Sequence, residues 1–204
     1  GFIPGVYYLL EINLGRDPYP EGKRVVVVGG GNVAIDCVRS SFRIGKPDVN
    51  LVYRRTKKEM PADRVEIHDA EEEGVKFHYL CNPVRIIEKE GKVVGMECIR
   101  MELGEPDKSG RRRPVPIEGT NFIVEADTAV LALGYWPDPV IGESTPGLET
   151  RNYGLIVIDK ATGATTRPGV FAGGDGVTGP DLVVTAMVAG RKAAAAMDKY
   201  LNSL

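Results

Sequence analysis

Four consecutive valines, Val25 to Val28, run straight into Gly29-Gly30-Gly31-Asn32-Val33-Ala34, and this junction restricts the possible folds more than any other stretch of the chain. An unbroken β-branched run lacks the alternation of a half-exposed strand and fits one buried on both faces of a parallel sheet. The glycines end that strand at once. Val33, Ile35, Val38 and Phe42 then recur on or near one side of a helix, so the spacing predicts a helix from about Asn32 packed on the sheet.

Gly29, Gly31 and Ala34 fit the G-x-G-x-x-G/A pattern, with Gly30, Asn32 and Val33 between them. In that pattern the first small residue permits the tight turn, the second lets a pyrophosphate approach the backbone, and the third lets the helix pack against the sheet. The helix start adds free N–H groups and a positive dipole end, which favour an anion. The pattern alone is a weak signal, but a strand before it and a helix after it make it a dinucleotide site. Asn50-Leu51-Val52-Tyr53 reads as the next strand and ends at Arg54-Arg55. An NAD-preferring site carries an acid here, about 20 residues past the glycines. Two guanidiniums suit a 2′-phosphate instead, which a carboxylate would repel. The expected cofactor is therefore NADP(H).

Residues 5–14 read as a short amphipathic helix, followed by a Gly/Pro linker over 15–22 and, beyond the arginines, a helix from about Asp63 to Glu73 stopped by Gly74. The acids Glu71-Glu72-Glu73 read as a solvated helix face rather than a metal site. Val75 to Leu80 returns as a strand. The period then changes to that of antiparallel pairs: Val84–Glu88 and Val93–Leu103 turn at Glu90-Gly91, and Val115–Ile117 and Phe122–Ala126 follow. The Arg111-Arg112-Arg113 cluster reads as an exposed hairpin tip rather than an anion site. Thr128 to Gly134 re-enters the parallel sheet and leads into a Tyr135-Trp136-Pro137 turn; strands at 155–158 and 170–175 come next, then an Ala-rich helix from Asp181, its expected N-cap, to Leu201. The expected fold class is α/β: a Rossmann-like parallel sheet with an inserted antiparallel β-meander.

Composition removes several function classes. A net charge of −2 gives no electrostatic reason to expect nucleic acid or a membrane surface. No apolar run reaches the roughly 20 residues of a membrane span, and no secretory signal pattern opens the chain, so the expected location is cytoplasmic. Cys37, Cys81 and Cys98 are spaced too widely for a C-x-x-C pair or a metal cluster. His68 and His78 are isolated. No catalytic residue and no metal site is assigned. A start at Gly1, directly into an apolar helical pattern, reads as a piece of a longer protein.

In its motifs and their order the chain resembles the two-dinucleotide-binding-domain flavoproteins, and within them the small (beta) subunit of NADPH-dependent glutamate synthase. The likeness rests on Gly29 to Arg39, on Tyr53-Arg54-Arg55 with Glu59-Met60-Pro61-Ala62, on Ala132 to Pro137, on Val170 to Asp175 and on Gly179 to Ala186 with Gly190-Arg191. The resemblance implies an N-terminal helix, 1–15, left from an FAD domain; an NADPH-binding domain over 16–137, with Gly134 at its cofactor; and the C-terminal part of an FAD-binding domain over 138–204. Gly174 and Asp175 would meet the ribitol or pyrophosphate end of FAD, and the helix start at Asp181, Leu182, Val183 and Thr185 would face the flavin. Hydride would pass from NADPH to FAD and electrons on to a catalytic large subunit or another electron acceptor. The chain departs from the family in having one dinucleotide fingerprint: the first FAD-binding half and the cysteine-rich iron–sulfur segment are missing, so FAD belongs to the intact enzyme. The alternative is a non-catalytic NADP(H)-binding module without flavin, its C-terminal segment used for homodimer contacts. A disulfide-exchanging reductase is disfavoured, because no C-x-x-C occurs.

Overall fold

The valine run becomes a strand that lies inside the fold on every side. In the computed structural model, which describes residues 1–107, 110–134, 137–152 and 154–204, the chain opens with β1 (Phe2–Pro4), α1 (Gly5–Asn13), β2 (Arg24–Val28), α2 (Asn32–Arg43), β3 (Asp48–Tyr53), α3 (Arg64–Glu72) and β4 (Lys76–Tyr79). An antiparallel excursion follows, made of β5 (Cys81–Lys89), β6 (Lys92–Pro106), β7 (Arg112–Pro116) and β8 (Phe122–Glu125), before β9 (Thr128–Leu131) returns. The parallel sheet has the order β1-β9-β2-β3-β4, with Val27 set between Leu51 and Val130.

The pleat of β2 explains why all four valines are apolar. Val25 and Val27 pack with Tyr8, Ile35, Val38, Leu51 and Ile67, the residues of the helical face. Val26 and Val28 pack with Cys81, Met96, Cys98 and Val124, which belong to the antiparallel excursion. The sheet therefore carries helices on one face and a second sheet on the other, and each valine so buried stabilises the fold by about 1.5–3 kcal/mol.

The antiparallel part differs from a simple meander. β5 and β6 join through Glu90 and Gly91, both at positive φ (54° and 76°), the requirement of a two-residue hairpin turn. β7 and β8 do not pair with each other; both pair with successive stretches of the long β6. The N-terminal helix also departs from expectation. β1 pairs in parallel with β9, and Tyr8 of α1 is fully buried with its hydroxyl 2.9 Å from that of Ser41 on α2, so the segment read as an FAD-domain remnant is part of the Gly1–Gly134 unit. The acids at the end of α3 are ion-paired rather than simply solvated: Glu71 with Lys57, Glu73 with Arg39 and Arg43.

The second unit, Tyr135–Leu204, holds α4 (Val140–Ser144), β10 (Thr150–Arg151), β11 (Leu155–Ile156), α5 (Asp175–Thr178) and α6 (Val183–Leu201). Of the strand expected at 155–158, Leu155–Ile156 pair with β10 and Ile158 makes an isolated bridge to Thr165. The one expected at 170–175 is reduced to a single bridge, Ala164 to Phe171, and Asp175 opens α5 instead. Asp181 is not the N-cap of α6. Leu182 holds that position, and the Asp181 carboxylate accepts from the Leu182 N–H at 2.7 Å. Tyr135 and Trp136 of the expected turn lie outside the described residues.

Candidate functional site

Because β2, β3 and β9 run parallel, the residues that follow each of them converge at one end of the sheet. The chain passes from β2 to β3 on one side while β9 lies on the other, the arrangement at which open α/β sheets hold ligands. Gly29–Gly31, Tyr53–Arg55 and Ala132–Gly134 line a cleft of about 560 Å³ there, with Pro61, Cys81–Pro83 and Arg111 completing its walls.

The three glycines are present for different reasons. Gly29 has φ 152°, and a Cβ on it would lie 2.3 Å from the Ala132 carbonyl oxygen. A Cβ on Gly30 would lie 2.3 Å from the Tyr53 ring. Gly31 has an ordinary φ of −93° as the N-cap of α2, and a Cβ there would meet nothing within 4 Å. The protein itself accounts for the first two glycines. The third leaves a cradle in front of a helix N-terminus, where a side chain would otherwise stand. Ala34 is fully buried and meets the packing requirement of the pattern's last position.

Neighbouring residues lock this turn. Asn32 uses its side-chain oxygen to accept from the Asp63 N–H at 3.0 Å, and the Gly30 carbonyl accepts from the Ala62 N–H at 3.1 Å. Tyr53 donates its hydroxyl to the Glu59 carbonyl at 2.8 Å. Glu59 and Thr56 cap the short 3-10 helix Lys57–Glu59 reciprocally, and the Thr56 hydroxyl holds the Glu59 carboxyl below its usual range. Val33 packs against the helical core, so it can offer a ligand only backbone, whereas Asn32 is exposed and its side-chain oxygen is the atom engaged by Asp63. Gly134 has φ +89°, a conformation that L side chains rarely adopt.

The arginine pair divides. Arg54 is exposed at the cleft. Arg55, expected beside it at the 2′-phosphate, is only 4% exposed; its Nε donates to the Arg112 carbonyl at 2.7 Å and its Nη2 to the Asp107 carboxylate at 2.8 Å. The Arg55 guanidinium is thus engaged by the β6–β7 hairpin, while Arg54 stands exposed among the residues that line the cleft. Sequence reasoning missed Arg111, which reaches the cleft wall from that hairpin. Its only sequence signal was membership of the triple-arginine run.

All three cysteines are free and buried, and burial pushes Cys37 and Cys98 up to about 12 and raises Cys81 in the cleft wall. His78 is held below its usual value by burial and by the nearby Arg100 and Lys76.

The expected residues of the second unit form their own hollow of about 350 Å³, lined by Gly174, Asp175, Asp181, Leu182 and Val183 with Gly173, Ala186 and Gly190. A Cβ on Gly173 would come within 2.9 Å of Ala189 and one on Gly174 within 3.3 Å of Ala186, so small residues on both sides let this segment lie directly on α6. Thr185 donates its hydroxyl to the Leu182 carbonyl at 2.6 Å, inside the helix start.

The family model described as pyridine nucleotide-disulphide oxidoreductase matches residues 9–190. Subunit beta of NADP(+)-dependent formate dehydrogenase from Moorella thermoacetica is 51% identical over 99% of this chain and 28% of its own length. The glutamate synthase [NADPH] small chain of Escherichia coli is 43% identical over 89% of this chain and 39% of its own. The chain thus spans less than half of either relative. Among solved structures, thioredoxin reductase from T. acidophilum has a TM-score of 0.73 at 20% identity, covering 100% of this chain and 58% of that one. FprA of Mycobacterium tuberculosis in complex with NADPH has 0.70 at 18%, covering 98% and 58%. These two show a shared fold. With 182 consecutive positions matched, from 9 to 190, the chain belongs to the pyridine nucleotide-disulphide oxidoreductase family.

Proposed function

We propose that this chain is the NADP(H)-binding part of a flavin-dependent oxidoreductase of the glutamate synthase small-chain type, which takes hydride from NADPH and delivers electrons to a partner subunit. The observation that carries the reading is Gly31, a glycine with ordinary φ and open space before the N-terminus of α2. That cradle suits a pyrophosphate, and Arg54 at the end of β3 supplies charge for the 2′-phosphate. The names of the formate dehydrogenase and glutamate synthase relatives, both NADP-dependent, support the same cofactor. Gly174, Asp175 and the α6 start are the residues of this chain assigned to FAD in the intact enzyme, where reduced nicotinamide and flavin supply the redox chemistry. This chain's residues bind and orient.

Replacement of Arg54 by Gln is expected to weaken NADPH by at least about tenfold and leave NADH nearly unchanged, measured by fluorescence titration. Equal weakening of both would refute the cofactor assignment. Anaerobic addition of NADPH to the chain reconstituted with FAD and desalted separates an enzyme from a binding module: a retained flavin spectrum that bleaches supports the first, and no retained flavin supports the second.

A further inference from the structure

The order of the strands gives the cleft a direction. Neighbours across the sheet run β9, β2, β3, β4, and the residues after each of them line the cleft: Ala132–Gly134 after β9, Gly29–Gly31 after β2, Arg54 after β3 and, one residue past β4, Cys81–Pro83. With the pyrophosphate at Gly31 and the 2′-phosphate at Arg54, the step from one to the other runs from β2 toward β3. The base of the same nucleotide is bonded beside the 2′-phosphate and away from the pyrophosphate. The same direction therefore carries it to the wall made by Cys81–Pro83, and leaves the β9 end, with the exposed Leu133, to the nicotinamide half.

That wall is fixed in place. Leu80 turns the chain out of β4 at φ 52°, a left-handed conformation uncommon for L side chains; its N–H donates to the Arg55 carbonyl at 3.1 Å and its carbonyl accepts from the Met101 N–H at 2.8 Å. Asn82, half-buried in the cleft wall, pairs with Ile99 on β6. Its side-chain nitrogen donates to the Pro83 carbonyl at 3.1 Å. A carbonyl can only accept, so this bond decides which end of the amide is nitrogen and holds the side chain against a flip. Oδ1 and the second N–H remain for a ligand. The amino edge of adenine offers a donor beside an accepting ring nitrogen, the complement of an acceptor beside a donor. Hypoxanthine carries a carbonyl oxygen in place of that amino group, and two acceptors would then face each other.

We propose that Asn82 reads the base of the dinucleotide, selecting adenine through its exocyclic amino group. This rests on the NADP(H) reading above. An amide free to turn over could satisfy either base, whereas one held by the Pro83 carbonyl satisfies adenine alone.

The test is calorimetric titration of the full chain with 2′,5′-ADP and with inosine 2′,5′-bisphosphate, which differ only at the base, reading the ratio of the two affinities. Wild type is expected to favour 2′,5′-ADP about tenfold. Asn82→Ala is expected to bring the ratio close to one by weakening the adenine compound alone, and Asn82→Ser, whose hydroxyl can donate or accept, to do the same. A purely structural defect would weaken both compounds alike and leave the ratio where it was. Arg54→Gln, at the phosphate the two compounds share, is expected to weaken both and keep the ratio. If wild type binds neither compound, the NADP(H) reading falls and this inference with it. If wild type binds both equally, or if its preference for adenine survives in both Asn82 variants, the cofactor reading stands and this inference is overturned.

Discussion

The two units bury apolar residues to very different extents. In the Gly1–Gly134 unit the valines of β2 are at most 3% exposed and Leu51 and Ile67 are fully buried. Among the described residues of Tyr135–Leu204 the buried apolar side chains are Leu148, Leu155, Val177 and Ala193, while Val183 on α6 is 78% exposed and Val184, Met187 and Val188 are exposed beside it. A strand buried on both faces draws stability from each residue. A helix with one face on small residues draws little. The contrast locates the better-packed part of the chain in the Gly1–Gly134 unit, which carries the cleft at the ends of β2, β3 and β9.

Core substitutions should break the contrast most strongly. Leu51→Ala is expected to destabilise by about 2–5 kcal/mol, whereas Val184→Ala on α6 should change stability by no more than about 0.5 kcal/mol; denaturant unfolding followed by tryptophan-independent far-UV circular dichroism compares them. Similar effects would mean that α6 is as well packed as β3. Gly29→Ala should be comparably damaging, at about 3 kcal/mol or more, since it combines a positive φ with a close backbone contact.

Thiol reactivity sharpens the same comparison with a smaller effect. With burial raising Cys37 and Cys98 to about 12, neither should be alkylated at pH 8 in the native chain, and both should react on unfolding. Native-state labelling of either would show that the β2 face opens locally.

The smallest expected effect is pH-dependent. Asp127 accepts from the N–H groups of Lys23 and Arg24 and from the Arg24 guanidinium. The hydrogen bond from Arg24 pulls its carboxyl down to about 2, below the ordinary aspartate value of about 3.9. A depressed folded-state value stabilises the fold above about pH 4 and is lost as pH falls toward 2. Asp127→Asn should therefore lower the melting temperature at neutral pH, and the difference from wild type should shrink as pH approaches 2. A constant difference across that range would remove the ionic origin.

What the sequence revealed was local. The β2 strand, the glycine turn and α2 are contiguous, and each residue's reason lies within a few positions. The Glu90-Gly91 turn was legible on the same grounds, and its two residues have the positive φ values such a turn needs; the helix expected from about Asp63 is present, with Asp63 itself standing outside it as the N-cap, its carboxylate accepting from the Val65 N–H at 2.8 Å. The fate of Arg55 was not legible, because its partners lie 52 and 57 residues away on a hairpin whose length sequence pattern underestimates. Arg111 was hidden by the same distance. Where the N-terminal helix packs was not legible, because an apolar pattern shows that a helix packs and the pairing of β1 with β9 decides where.

The most direct measurement is the affinity of Gly31→Asp for NADPH, taken together with its melting temperature. Gly31 caps α2 without a side chain, so an aspartate there should satisfy a helix N–H and complement the dipole, raising stability by about 0.5 kcal/mol. The same side chain would fill the cradle and repel a pyrophosphate, so NADPH affinity should fall by more than about tenfold while the fold holds or strengthens. NADPH binding as tight as in wild type, in a variant that is fully folded, would contradict the assignment of this cleft to the dinucleotide.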